Sequence, residues 1–223
     1  MKVNISDISG LIDHTLLKPT ATNKDIEKLC NEAAEFGFFS VCVQPYFIKL
    51  AKEFLEGGNV KVAAVVGFPF GMTSAGAKAF EAMNATSLGA DEIDFVINIG
   101  AAKSGDWDVV RRDISGVIGA SKGVVHKTII ETCYLDEEEI ARVVKIALDA
   151  GSEFIKTSTG YGPYGARVKD VRLIKSIVGE RAGVKASGGI RTIRQVLNLL
   201  KAGATRIGTS SGVRIIEEVR RTV

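Results

Sequence analysis

Short apolar runs alternate with longer amphipathic stretches from one end of this 223-residue chain to the other. Eight runs read as strands, at residues 10–13, 38–43, 60–66, 92–98, 124–131, 153–157, 183–187 and 205–208. Eight stretches between them read as helices, at 23–36, 45–56, 74–88, 106–121, 136–150, 166–178, 192–202 and 211–220. Asp136 followed by Glu139 has the spacing of a capping box, and glycines at 37, 89, 151 and 203 close several helices. The strand runs are nearly continuous in apolar character, as expected when both faces are covered. Eight βα units in one chain of this length point to an α/β fold, a (β/α)8 TIM barrel. The barrel is expected to form a single domain over residues 1–223, with a short N-terminal extension. An open doubly wound sheet is the alternative, but it normally needs fewer units.

Composition narrows the function classes. The chain is 46% hydrophobic, and 29 basic against 26 acidic residues leave a net charge of +3. So small and scattered an excess argues against nucleic acid or an anionic membrane as partner. Cys30, Cys42 and Cys133 are far apart and odd in number, which fits a reduced compartment better than a disulfide framework. No leader pattern opens the chain and no apolar run is long enough to span a bilayer, so a cytoplasmic protein is expected. His14 and His126 lie in different units, and no cluster has metal-ligand spacing; neither a metal nor an organic cofactor is expected.

Two lysines stand inside runs that read as buried strands: Lys156 in EFIKTSTG and Lys185 in GVKASGGIR. Lysine is rarely fully buried without a partner, and burial pulls its pKa down by as much as about 3–5. A second cation nearby acts in the same direction. A neutral amine attacks carbonyls, so two such lysines at one cavity suit Schiff-base chemistry. The other reading is an amine that caps the barrel mouth by pairing with Asp94 or Glu131. Catalytic groups of such barrels lie at the C-terminal ends of strands. Asp13, His14, Asp94, Asn98, Lys127, Glu131 and Thr132 occupy comparable positions. Asp94 beside two cations reads either as their structural partner or as a proton-shuttling carboxylate. Cys42 reads as a small core residue.

Gly188-Gly189 after the seventh strand, and Gly208 to Gly212 after the eighth, open helices where free N–H groups attract anions. Adjacent loops of this kind point to a phosphorylated substrate.

The segments IDHTLLKPT (12–20), VVGFPFG (65–71), GADEIDFVINIGA (89–101), KTIIET (127–132), FIKTSTG (154–160) and VKASGGIRT (184–192) together resemble the deoxyribose-phosphate aldolase family, class I aldolases on a (β/α)8 barrel. FIKTSTG and VKASGGIRT in this order and spacing are the specific pair. The resemblance implies reversible cleavage of 2-deoxy-D-ribose 5-phosphate to D-glyceraldehyde 3-phosphate and acetaldehyde, a lyase reaction without cofactor. It implies a Schiff base on Lys156, Lys185 as the cation that keeps Lys156 unprotonated, and Asp94 as a proton relay. Phosphate is expected at Gly160, Gly188, Gly189, Ser210 and Ser211. The partners implied are the sugar phosphate, acetaldehyde and further copies of the chain, as a dimer or tetramer. Some members carry lysine where this chain has Tyr161, which removes one cation from the expected phosphate site; Arg167 is a candidate to replace it. Another Schiff-base aldolase, a transaldolase and a non-catalytic phosphate-binding barrel are the competing readings.

Overall fold

The computed structural model describes residues 8–221. Of the expected N-terminal extension, residues 1–7 lie outside the described residues. Eight parallel strands close into a barrel in sequence order: β1 Ile12–Leu16, β2 Ser40–Val43, β3 Lys61–Val66, β4 Glu92–Val96, β5 Val125–Ile129, β6 Phe154–Lys156, β7 Gly183–Ser187 and β8 Arg206–Thr209. β8 pairs back onto β1, so no strand edge is left open. Around them lie α1 Asn23–Phe36, α2 Ile48–Phe54, α3 Ala75–Ser87, α4 Ile99–Lys103, α5 Trp107–Ala120, α6 Glu137–Asp149, α7 Val168–Val178, α8 Ile193–Lys201 and α9 Gly212–Arg220. The architecture is the (β/α)8 barrel.

Helix starts follow local chemistry. Thr22 with Asp25, Asp136 with Glu139 and Thr192 with Gln195 form reciprocal capping boxes. Gly37, in the left-handed region at φ 66°, ends α1. The helix expected over 45–56 instead begins as a 3-10 turn, Pro45–Phe47, before α2. The short α4 was not legible as a separate element; Asn98 caps it by accepting from the Ala101 N–H.

The main core lies between the sheet and the helices, from Ile12 and Val41 through Ile93 and Ile155 to Ile216. A second, small apolar cluster of Leu17, Cys42, Ala63 and Val65 lies apart from it, with Phe68 packed on it. Cys42 approaches the Asp94 carboxylate, so this cluster borders the charged interior of the barrel. No helix of the described residues is long and apolar enough to cross a membrane.

Candidate active site

Successive side chains of a strand face opposite ways. In β4, Ile93 and Phe95 join the core under the helices, whereas Glu92 and Asp94 enter an ion-pair network with residues of five other strands. Asp94 Oδ1 accepts from Lys127 Nζ at 2.7 Å. Its Oδ2 accepts from Lys156 Nζ at 2.7 Å and from Lys185 Nζ at 2.6 Å. Lys185 also contacts Asp13, and Lys127 lies 2.6 Å from Glu92. Arg206 closes the network, 2.9 Å from Asp13 and 3.3 Å from Glu92. Register explains the convergence: Lys156 is opposite Lys185, Lys185 opposite Arg206, and Asp94 opposite Lys127. All seven residues are buried.

Burial opposes the charges on Asp94, Asp13, Lys185 and Lys127, yet their neighbours prevail. Burial would raise Asp94, but Lys127, Lys156 and Lys185 hold it well below the usual carboxylate range. Asp13 is brought down to about 2 by Lys185, Lys127 and Arg206, against its desolvation. Lys185 and Lys127 stay above the ordinary lysine value, because nearby carboxylates outweigh desolvation. Lys185 is thus a firmly held cation, not the second depressed lysine expected from its buried setting. With every group ionised, four cations would face three carboxylates.

A cavity of about 330 Å³ opens at the C-terminal ends of the strands. Lys156 lines it, whereas Lys185 and Asp94 do not. Gly160, Gly188, Gly189 and Ser210 are on its wall, joined by two cations, Lys18 and Arg191. Ser211 instead faces an adjoining hollow of about 530 Å³, which shares Lys18 and Ser210 with the first. Helix starts contribute fewer free donors than expected. Gln195 accepts from the Arg191 and Thr192 amides, Glu218 from that of Ile193, and Thr209 Oγ1 from that of Ser211.

The loop after β6 is held from beneath. Glu131, at φ 51°, directs a buried carboxylate to the Thr159 amide at 3.1 Å and to the Thr159 hydroxyl. Further along, the Ala166 amide donates to Ser187 and Gly188 carbonyls. A Cβ on Gly165 would lie 2.1 Å from the Gly188 oxygen, so glycine alone permits this approach. Tyr161 lines the cavity, donates to the Leu17 carbonyl at 3.0 Å and meets Phe68 edge-on. Arg167 does not replace the absent lysine: it is bound to Asp170 and lies over the Tyr164 ring.

Of the residues anticipated at strand ends, Asp13, Asp94, Lys127, Lys156 and Lys185 come together. His14 faces the other way and pairs with Glu32 on α1. Glu92 and Arg206 were missed. Their signal was spacing: Glu92 is two residues before Asp94 and therefore on the same face.

Residues 9–218 match the family model described as DeoC/LacD family aldolase. The chain belongs to the DeoC/LacD aldolase family. A family relative from Thermococcus gammatolerans named deoxyribose-phosphate aldolase is 57% identical over 96% of this chain and 97% of its own. One of the same name from Thermococcus kodakarensis is 54% identical over 96% and 98%. Among solved structures, the tetrameric deoxyribose phosphate aldolase of Aeropyrum pernix superposes with a TM-score of 0.92 at 33% identity, covering 99% of this chain and 94% of that one.

Proposed function

We propose that the chain is a single-domain deoxyribose-phosphate aldolase that cleaves 2-deoxy-D-ribose 5-phosphate to D-glyceraldehyde 3-phosphate and acetaldehyde, reversibly, through a Schiff base on Lys156. The observation that carries this reading is the arrangement of amines: Lys156, Lys185 and Lys127 share one carboxylate, and only Lys156 reaches the cavity. The family and the named relatives support the same activity.

The steps follow from that arrangement. The neutral Lys156 amine adds to the C1 aldehyde of the open-chain sugar, and loss of water leaves a protonated imine. The C3 hydroxyl gives up its proton, the C2–C3 bond breaks, and its electron pair moves into the iminium as an enamine. C3 departs as the aldehyde of glyceraldehyde 3-phosphate. Protonation of the enamine carbon and hydrolysis of the imine release acetaldehyde and restore the amine. Asp94, hydrogen-bonded to Lys156, is the relay for these protons, directly or through one water. Lys185 and Lys127 keep it anionic between steps. Phosphate binding by the Gly160, Gly188, Gly189 and Ser210 wall, with Lys18 and Arg191, fixes the substrate far from the reacting carbons. Ser211 enters only by way of the adjoining hollow.

The reading also includes a homo-oligomer and a cytoplasmic location, the latter in keeping with three free cysteines. Borohydride reduction in the presence of acetaldehyde tests the chemistry. An ethyl group on Lys156, found by peptide mass mapping, is the expected result; labelling elsewhere alone, or none, would refute it.

A further inference from the structure

We infer that Lys18 is the residue by which this site prefers a phosphorylated sugar to a free one, and that Tyr161 and Gln44 are positioning residues for it; the inference rests on the sugar-phosphate reading above and deepens it. Lys18, Lys156 and Arg191 line the cavity, and no carboxylate of the described residues does. Lys156 is committed to Asp94 and to the aldehyde. Backbone donors at the rim are in short supply, because Gln195, Glu218 and Thr209 already occupy the amides of Arg191, Thr192, Ile193 and Ser211. A phosphate monoester is largely dianionic at neutral pH. Here it must draw on side-chain charge, which leaves Lys18 and Arg191 to meet it.

Lys18 is free to do so. Among the described residues it forms no ion pair: Asp25 feels its charge, but that carboxylate caps α1 through the Thr22 amide at 2.8 Å and the Thr22 hydroxyl at 2.7 Å. Lys18 and Ser210 are common to the cavity and the adjoining hollow, so the lysine stands on the side where α9 begins.

The backbone on both sides of this lysine is fixed. Leu17 is buried with Cys42, Ala63 and Val65. Its carbonyl accepts from the Tyr161 hydroxyl at 3.0 Å and from Gln44 Nε2 at 3.2 Å. Pro19 confines Lys18 to extended backbone, and the Lys18 carbonyl accepts from the Ala21 amide at 3.1 Å. The side chain thus starts from a set point on the cavity wall, which lowers the ordering cost of meeting an anion. Tyr161 belongs to the loop that follows Lys156, so one hydroxyl ties the phosphate-binding lysine to the strand that carries the reactive amine.

Steady-state kinetics on 2-deoxy-D-ribose 5-phosphate and on 2-deoxy-D-ribose test the inference, with inorganic phosphate as a competing ligand. Lys18→Gln is expected to lower the ratio of kcat/KM between the two sugars about tenfold, through KM for the phosphorylated one. The inhibition constant of phosphate should rise by a similar factor. Lys18→Arg, which keeps the charge, should restore most of the ratio. Tyr161→Phe keeps the ring against Phe68 and removes only the hydroxyl; it should lower the ratio about threefold. An unmoved ratio in Tyr161→Phe overturns the positioning role. A Lys18→Gln ratio equal to the parent's, whether both sugars slow alike or neither does, overturns the role of Lys18. Acetaldehyde carries no phosphate, so borohydride trapping in the unaltered protein separates the two failures. Lys156 trapped beside an unmoved ratio defeats Lys18 alone, whereas Lys156 untrapped defeats the reading beneath it.

Discussion

Two clusters of buried lysine and aspartate stand among the described residues, and they behave in opposite ways. In the Lys78–Asp113 pair, burial prevails: Asp113 is pushed above the usual carboxylate value and Lys78 below the usual lysine value, each despite the other. In the cluster around Asp94, charge prevails over equal or deeper burial, because each group has several opposite neighbours. The pair is closed, with its amine saturated by Asp113 and two carbonyls. The network is open at one point, Lys156 on the cavity. Burial of a lysine thus says little about function; access to a cavity and an excess of cations decide it.

The widest separation between the clusters is expected from removing one amine of each. Lys156→Ala should reduce kcat/KM by at least about 10³-fold, roughly 4 kcal/mol of transition-state stabilisation. The fold should survive, since three carboxylates then face three cations. Lys78→Met should do the reverse. It leaves Asp113 buried without its cation, which costs about 3–5 kcal/mol of stability, while the activity per folded molecule stays within a fewfold of the parent. Urea unfolding beside steady-state kinetics reads both. If Lys78→Met abolished turnover in protein that remained folded, the comparison would fail.

A smaller effect tests why the open network works. Lys185→Leu removes a fixed cation from Asp94 and Asp13. Asp94, which Lys185 helps to hold well below the usual carboxylate range, then takes up a proton more readily, and the relay is lost sooner as pH falls. The acid limb of the kcat/KM profile should move to higher pH, by about one unit or ~1.4 kcal/mol. Lys127→Met should move it the same way, because Lys127 holds the other Asp94 oxygen. Profiles that coincide with the parent's would remove the charge balance as the explanation.

The barrel was legible in the sequence because a βα alternation leaves two periodicities in one chain, but the character of its interior was less so. Apolar continuity suggested strands greasy on both faces, whereas β1, β4, β5, β6, β7 and β8 direct charged residues into the network. His14 and Thr15 concealed the end of β1, which runs over Ile12–Leu16 rather than 10–13. Lys156 and Lys185 stood out because each interrupts a short apolar run. Lys127, in the polar-looking VHKTI, was noticed without a role, and Arg206 was not singled out. Lys78 carried no signal: one lysine among alanines in AGAKAFEA reads as a solvated helix face until the ridge it sits on is known. The cavity wall proposed to hold phosphate includes the glycines expected there, but capping residues that consume the α8 amides were visible only with the fold in hand.

The smallest effect concerns how far the closed cluster reaches into the open one. Lys78 and Glu81 pin the ends of the 67–71 loop, through the Gly71 carbonyl and the Gly67 amide. That loop presents Phe68 to the edge of Tyr161, 5.4 Å between ring centres, and Tyr161 forms part of the cavity wall. Loss of one such aromatic contact is worth about 1 kcal/mol. Phe68→Ala should therefore raise KM for the sugar phosphate about fivefold and leave kcat nearly unchanged, because no proton or bond of the reaction passes through Phe68. Lys78→Met, assayed where it is folded, should raise KM in the same direction by loosening the same loop. Should either substitution lower kcat while sparing KM, the loop would be acting on Lys156 or Asp94 themselves, and the division between a structural and a chemical cluster would have to be redrawn.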